Sequence, residues 1–296
     1  MCVAAEVAEK TARTYQEAGR ILRSSPLRKG NVVQLDKSNT EDVMVTADLH
    51  GNRTNFRRIM EIADLGAHPN RHLVFQEVCH GGPTYPKAGG CMSHLMLEDI
   101  AQLIVEFPHQ VHFLISNHEL AELTDYPIMK GGKMLNLMFR CGMGQMYGDA
   151  VPMIRAAQLE FLASLPIAIR IGQQILVTHS LPKHCDAEPF DISIFDRELN
   201  VHDRSCGGSL HRMVWGRDFR QENADHLAQQ LGVDLFITGH EPCKYGFASP
   251  NSRQIVLDCC SRLGKYMMIP MSDGLTQDDL LNRIYSLHDP MLVAAP

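Results

Sequence analysis

The chain has 296 residues, of which 45% are hydrophobic and 21% are charged, and its formal net charge is −6. This composition is ordinary for a globular protein, and the length suits one large α/β domain or two small ones. The acidic balance argues against a nucleic-acid surface and against a basic patch that would bind a membrane.

Targeting segments and cysteine usage indicate the cellular compartment in which a protein works. No stretch reaches the roughly 18 uninterrupted apolar residues of a membrane span, and residues 1–9 lack the basic segment and apolar core of a secretory signal. The nine cysteines are odd in number and irregularly spaced, and they include the adjacent pair Cys259 and Cys260. Reduced thiols are the simpler interpretation, and we therefore expect a cytoplasmic protein without disulfides.

The N-terminal segment shows apolar residues at helical spacing. Residues 2–23 are predicted to form a helix, and the polar residues 24–42 to form a connector. We interpret residues 1–42 as an N-terminal helical extension that packs on the main domain, residues 43–296. A partner-binding arm is the alternative.

From residue 43 onward, strand patterns alternate with helix patterns. Strands are predicted over 43–46, 73–78 and 111–115, and helices over 55–63 and 95–106. The Met-rich region 121–165 is predicted to be helical without a clear strand, and residues 167–178 form a predicted hairpin. A helix over 225–231 precedes strands over 233–238, 254–258 and 265–269, and the tail 277–287 is predicted to be helical. This alternation predicts an α/β fold.

Four of the apolar runs end in residues that bind metals. Asp48 and His50 follow the first run, Asn117 and His118 follow another, and His179 and His240 each follow a further run. Asp48 and His50 are two residues apart, so in an extended segment they face the same way. One histidine in such a position is more often structural, but four strand ends with the same chemistry indicate a site for divalent metal.

The motifs in their order resemble those of the calcineurin-like metallophosphoesterases. They read ADLHGN at 47–52, QEVCHGG at 76–82, SNHE at 116–119, THS at 178–180 and TGH at 238–240. The chain looks most like the phosphoprotein phosphatase branch, which includes protein serine/threonine phosphatases and bacterial diadenosine polyphosphatases. The resemblance covers roughly residues 43–270, and the ordered set is far more specific than any single motif.

The resemblance implies a four-layer α-β-β-α sandwich with a dinuclear metal site between two sheets. It implies that Asp48 and His50 bind the first of two divalent ions (Mn, Fe or Zn) and that Glu77 bridges them. Asn117, His179 and His240 would bind the second ion. His118 would be the acid that protonates the leaving alkoxide.

The second motif departs from the family pattern Gly-Asp-x-x-Asp-Arg-Gly. Glu77 stands in place of the bridging aspartate, His80 replaces the aspartate that orients the catalytic histidine, and Gly81 replaces a phosphate-binding arginine. We expect a catalytic role for His80 on the phosphate side of the site. Arg217 and Arg53 are the candidates for binding substrate phosphate. Glu119 is expected to make a structural hydrogen bond.

The resemblance therefore predicts a metal-dependent phosphoesterase that hydrolyses phosphomonoesters, either of a phosphoprotein or of a small molecule. A dinucleotide polyphosphate hydrolase is one alternative. The other is a catalytically weak or inactive binding protein, which the altered second motif favours. The expected partner is a phosphorylated substrate rather than a nucleic acid or a membrane, and the sequence leaves protein partners open.

Overall fold

The structure is a computed structural model that describes residues 2–87 and 89–288. Its helices are α1 (Cys2–Ser24), α2 (Arg53–Ala63), α3 (Ser93–Glu106), α4 (Asn117–Thr124), α5 (Leu135–Tyr147), α6 (Val151–Leu162), α7 (Val201–Arg204), α8 (Ser209–Trp215), α9 (Gln221–Leu231) and α10 (Gln277–Leu281). Within the described ranges, no helix combines the length and apolarity needed to cross a membrane.

The strands are β1 (Arg28–Lys29), β2 (Val32–Leu35), β3 (Asp42–Asp48), β4 (Arg71–Gln76), β5 (Val111–Phe113), β6 (Met129–Lys130), β7 (Lys133–Met134), β8 (Ala168–Ile171), β9 (Ile175–Thr178), β10 (Leu235–Thr238), β11 (Phe247–Asn251), β12 (Gln254–Leu257), β13 (Lys265–Pro270) and β14 (Ile284–Ser286). One sheet has the order β1-β2-β8-β9-β10-β12-β11 and the other the order β14-β13-β3-β4-β5. Two sheets packed among helices confirm the predicted α/β fold.

The parallel strands determine where the polar residues collect. In one sheet β3, β4 and β5 are parallel, and in the other β9, β10 and β12 are parallel. Their carboxyl ends lie at one edge of each sheet, where ligands usually bind in open α/β sheets. The strands themselves are almost wholly apolar and buried, as parallel strands covered on both faces must be. Polar side chains therefore emerge only where the strands end.

Helix α1 packs against α3 and α6 rather than extending into solvent. Its inward stripe is buried, and the Tyr15 ring, which is fully buried, lies 5.5 Å from the Phe161 ring between centroids. The Gln158 amide nitrogen is 3.4 Å from the Tyr15 hydroxyl. The N-terminal helix is thus part of the hydrophobic core.

Three local predictions were wrong. The supposed connector contains β1 and β2, and β2 pairs with β8 in parallel. The middle region, predicted without strands, includes the short β6–β7 hairpin, which turns through Gly131 and Gly132 at positive φ. The tail is helical only over α10 and then forms β14, which pairs with β13. In each case the segment becomes a strand because it pairs with another strand, either far away in the sequence or across a tight turn, and this pairing overrides the local pattern.

We predict that Tyr15→Ala lowers the free energy of unfolding by about 3–5 kcal/mol, the usual cost of removing a large buried aromatic ring. Val7→Ala, at an exposed position of the same helix, should change it by less than about 0.5 kcal/mol. Urea unfolding of both variants measures the difference. Equal, small effects would contradict the packing of α1 into the core.

Candidate metal centre

The first site residues lie where β3 turns into α2. Asp48 ends the strand, and His50 adopts a φ of +44°, a left-handed conformation that is uncommon outside glycine. Asn52 then caps α2 by accepting a hydrogen bond from the amide of Asn55 at 3.1 Å. The amides of Leu49 and His50 both donate to the carbonyl oxygen of Glu77, at 2.8 and 3.1 Å. The first two motif loops are therefore joined through the backbone.

Glu77 lies just after β4 and its carboxylate is at the centre of the site. Its Oε1 is 2.8 Å from His50 Nε2, and its Oε2 is 2.9 Å from His179 Nε2. Glu119 holds the loop after Glu77, because its Oε1 accepts from the amides of Val78 at 3.0 Å and Cys79 at 2.9 Å. The structural hydrogen bonds expected of Glu119 are confirmed.

The other sheet contributes His179 after β9 and His240 after β10. His179 Nε2 is 2.7 Å from Oδ1 of Asn117 and 3.2 Å from Nδ1 of His240. The amide of His240 donates to both carboxylate oxygens of Asp48, at 3.1 and 3.0 Å. This contact joins the ends of the two sheets. Gly239 precedes it and leaves room for this contact, because a Cβ there would lie 2.5 Å from Asp48 Oδ1.

The donor atoms fit a bound cation. His179 Nε2 faces three polar atoms, on Glu77, Asn117 and His240, although an imidazole nitrogen carries at most one hydrogen. Nε2 of His240 is buried without a hydrogen-bond partner in the part of the chain that the structure describes. Buried polar atoms left in this way are costly unless something else satisfies them. Nitrogen and carboxylate donors suit Mn, Fe or Zn.

Two groups of donor atoms share Glu77. His50, Glu77 and His118 form one group, and Glu77, His179 and His240 form the other, with ligand atoms within 4.8 Å of one another in each. A carboxylate common to two groups is the arrangement expected of a bridging ligand. The first group contains His118, and the Asp48 carboxylate instead accepts from the His240 amide.

Electrostatics in the site are dominated by the buried carboxylates. Burial and the charge of Glu77 raise the pKa of Asp48 to about 7. Burial opposes protonation of His50, but the charge of Glu77 raises the pKa of its imidazole to about 9. Burial also opposes ionisation of Glu77, yet the imidazoles of His118 and His50 hold its pKa well below the usual value. Metal binding must displace protons from such imidazoles.

His118 lies beside the donor groups at the start of α4. Its Nε2 is 3.7 Å from Glu77 Oε1, and its ring centroid is 4.9 Å from that of His50. Burial lowers the pKa of His118 to about 3. The neutral imidazole therefore prevails near neutral pH in the protein without metal.

The structure places His80 behind His118, away from the more exposed side of the site. The side chain of His80 is completely buried, and its Nδ1 is 3.0 Å from Nδ1 of His118. Its Nε2 is 2.8 Å from Oε1 of Glu122. Next to it, Gly81 has no room for a side chain, because a Cβ there would lie 2.4 Å from the carbonyl oxygen of His50. An arginine cannot occupy position 81 in this backbone.

The two candidate arginines lie in different surroundings. Arg217 is adjacent to the site: its Nη2 is 3.4 Å from the carbonyl oxygen of His240, and its Nε donates to Glu241 at 2.8 Å. Arg53 forms an ion pair with Asp99 and packs over the Phe56 ring, at 5.8 Å from its centroid. Arg217 is therefore the better placed of the two.

The family model for calcineurin-like phosphoesterases matches residues 42–244. The chain belongs to the calcineurin-like phosphoesterases. Members of this family are metal-dependent hydrolases of phosphate esters, and the resemblance read from the motifs is confirmed. A comparison with curated protein sequences gives no match.

Solved structures support the same fold. A protein serine/threonine phosphatase from Saccharomyces cerevisiae, described as similar to human phosphatase PP5, superposes with a TM-score of 0.68 at 14% identity. The alignment covers 94% of this chain and 88% of that one. A cold-active protein-tyrosine phosphatase from a Shewanella species gives a TM-score of 0.55 at 14% identity, over 84% of this chain and 78% of that one. At such identities the likeness shows the fold alone.

Sequence reasoning missed Glu122 and Arg155. Glu122 lies four residues after His118, so the two share one face of α4, and this spacing was a usable signal. Arg155 is on α6, 33 residues further along, and its Nη1 is 2.7 Å from Oε2 of Glu122. No local pattern connects Arg155 to the site.

We predict that adding Mn²⁺ or Zn²⁺ to metal-free protein raises its melting temperature by about 5 °C or more, because a ligand that binds only the folded state stabilises it. His179→Ala should abolish this shift, since His179 contacts three of the other donors. His184→Ala, at an exposed position outside the site, should keep it. An unchanged shift in His179→Ala, measured by scanning calorimetry, would contradict metal binding at this site.

Proposed function

We propose that the chain hydrolyses phosphomonoesters, of a phosphoprotein or a small molecule, with two divalent metal ions held at the ends of the two sheets. The observation that carries this proposal is the Glu77 carboxylate shared by two donor groups. Asp48 and His50 would hold the first ion with Glu77, and Asn117, His179 and His240 the second. Mn, Fe and Zn all suit these donors. When bound, such ions activate water and neutralise phosphate oxygens.

The protein's own residues then supply a proton and bind the phosphate. His118 Nε2 faces the Glu77 side of the site, so in its protonated form it can donate a proton to the oxygen of the leaving alcohol. Its other nitrogen meets His80, and this contact gives His80 its part in catalysis. Arg217 is the proposed phosphate ligand, because it lies beside His240. Arg53 can serve only if it leaves Asp99.

Beside His240 lies a group of half-buried aromatic rings, Tyr126, His211 and Trp215, which we call the aromatic wall. The Trp215 ring lies 6.2 Å from that of His240 and 5.7 Å from that of Tyr126. Aromatic rings of this kind stack with planar groups. This observation supports a second candidate, a dinucleotide polyphosphate hydrolase, in which a base would lie on the aromatic wall.

The remaining alternative is a catalytically weak or inactive binding protein of the same fold. The tight packing at Gly81, which leaves no room for the usual arginine, favours it. The donor set argues for an enzyme, because every metal-ligand position of the motif carries a competent ligand.

We also propose a cytoplasmic location and a phosphorylated substrate as the main partner, not a nucleic acid or a membrane. Residues 1–42 are proposed to be an extension of the catalytic domain 43–296.

We predict that protein reconstituted with Mn²⁺ hydrolyses an aryl phosphate and loses this activity when the metal is chelated. Elemental analysis should find near two equivalents of metal per chain. Comparing a phosphopeptide with a diadenosine polyphosphate distinguishes the two substrate classes. Protein that holds two metals but hydrolyses none of these compounds would favour the binding-protein alternative.

We predict that His118→Asn lowers turnover of a phosphate ester with an alcohol leaving group by about 10²–10⁴, the usual contribution of a positioned acid. Its metal content should stay near that of the unaltered protein, because His118 is proposed as an acid and not as a ligand. His184→Asn is the matched control and should keep full turnover. Loss of one metal equivalent along with activity would instead make His118 a ligand, as its place beside His50 and Glu77 allows.

A further inference from the structure

Behind His118 lies a line of polar groups that we call the imidazole–carboxylate series: His118, His80 and Glu122 are joined by hydrogen bonds, and Arg155 forms an ion pair with Glu122. His118 Nδ1 is 3.0 Å from His80 Nδ1, His80 Nε2 is 2.8 Å from Glu122 Oε1, and Glu122 Oε2 is 2.7 Å from Arg155 Nη1. The side chains of His80 and Glu122 have no exposed surface. A carboxylate buried so completely requires partners, and these are its partners.

When His80 is neutral, the hydrogen bonds of this series have one possible direction, which runs from His118 through His80 to Glu122. Arg155 can only donate, and the Glu122 carboxylate can only accept. His80 must therefore donate its Nε2 hydrogen to Glu122, which leaves Nδ1 of a neutral His80 as an acceptor. His118 must then donate from Nδ1. The nitrogen of His118 that remains to gain and lose a proton is Nε2, on the side of Glu77.

We propose that Glu122 is a positioning residue that acts through His80 to hold His118 in the tautomer with its hydrogen on Nδ1. The inference rests on the proposed function, in which His118 is the acid. It concerns position 80, where the resemblance implies an aspartate that orients the catalytic histidine. The carboxylate of Glu122 takes the place of the aspartate, and the imidazole of His80 lies between it and His118.

Nearby groups hold the connecting ring in place. His80 has a φ of +63°, and its amide donates to Ser93 Oγ at 2.9 Å. The ring of Phe139 meets it edge-on at 5.7 Å between centroids. A merely structural Glu122–Arg155 pair would need neither the strained backbone at His80 nor a ring aligned between two partners.

Glu122→Gln provides a specific test, because the glutamine amide has an oxygen and an NH₂ group. Arg155 requires an acceptor, so the oxygen should face Arg155 and the NH₂ should face His80. His80 must then accept at Nε2 and donate from Nδ1, and His118 must accept at its own Nδ1. The substitution is therefore expected to move the hydrogen of neutral His118 from Nδ1 to Nε2.

Nuclear magnetic resonance of ¹⁵N-histidine-labelled, metal-free protein reads this change directly. The His118 signals are assigned by their absence from the His118→Asn spectrum. The Nδ1–H tautomer is expected in the unaltered protein and the Nε2–H tautomer in Glu122→Gln. Glu98→Gln is the matched control, since Glu98 accepts from another buried histidine, His94, at 3.1 Å. The same His118 tautomer in the unaltered protein and in Glu122→Gln would overturn the inference, whether or not the protein hydrolyses phosphate esters.

The kinetic test compares the hydrolysis rates of two phosphate esters whose leaving groups differ in their need for an acid. Glu122→Gln should slow hydrolysis of an alkyl phosphate by about 10–100-fold, in the range expected when a supporting group is removed. Hydrolysis of dinitrophenyl phosphate, whose leaving group needs no acid, should change by less than about threefold. Equal losses on both esters would mean that Glu122 is only structural. An unaltered protein that cleaves neither ester contradicts the proposed function instead.

The double variant His80→Asp/Glu122→Gln separates a direct role from a folding defect. An aspartate Oδ1 is as many bonds from the backbone as a histidine Nδ1, so Asp at position 80 can accept from His118 directly. The double variant should recover the Nδ1–H tautomer and the hydrolysis of the alkyl ester, relative to Glu122→Gln alone. Failure to recover either one, in a protein that melts like the single variant, would contradict the orientation role.

Discussion

The rest of the site depends on the burial of the Glu77 carboxylate between two sheets. A carboxylate removed from water is costly unless cations or donors surround it. Here imidazoles from both sheets approach it, His50 on one side and His179 on the other. The positions of the strand ends, the loop after Glu77 and the start of α4 all follow from the need to bring those groups to one point. Without a cation, His179 Nε2 still faces more acceptors than it can satisfy.

Backbone strain accompanies this convergence. His50, Glu77, His80 and His240 all have positive φ values, which for residues other than glycine cost on the order of 1–3 kcal/mol each. The cost is tolerated because the strands leading to these residues are buried and fully paired. The hydrogen bonds from the His240 amide to Asp48 also tie the two sheets together at the same place. Strain at the strand ends is thus supported by buried strands that have a paired strand on each side.

The sequence predicted those parts of the molecule that depend on local pattern. The strands before Asp48, Asn117, His179 and His240 were visible because apolar runs stop abruptly at polar residues, and the α/β fold followed from their alternation. The pairing of β2 with β8 was not visible, since a short polar-flanked strand acquires its identity only from its neighbour. Arg155 could not be predicted for the same reason, because its contact with Glu122 depends on the packing of α6 against α4 and not on residues close to it in sequence.

The three departures in the second motif are parts of one rearrangement. The backbone at Gly81 and Gly82 packs directly on the backbone of the first loop, with added Cβ atoms at 2.4 Å from His50 O and 2.3 Å from Gly51 O. A side chain at position 81 would push these loops apart and carry Glu77 away from His50, so glycine there accompanies the present position of Glu77. The same loop carries His80 against α4, where its ring lies between His118 and Glu122. An aspartate at position 80 would orient His118 without a second group, whereas a neutral histidine can do so only if a hydrogen-bond acceptor behind it holds its own hydrogen on Nε2. The pairing of His80 with Glu122 satisfies that condition, and the site therefore has the features of an altered working arrangement rather than of one that has lost its parts at random.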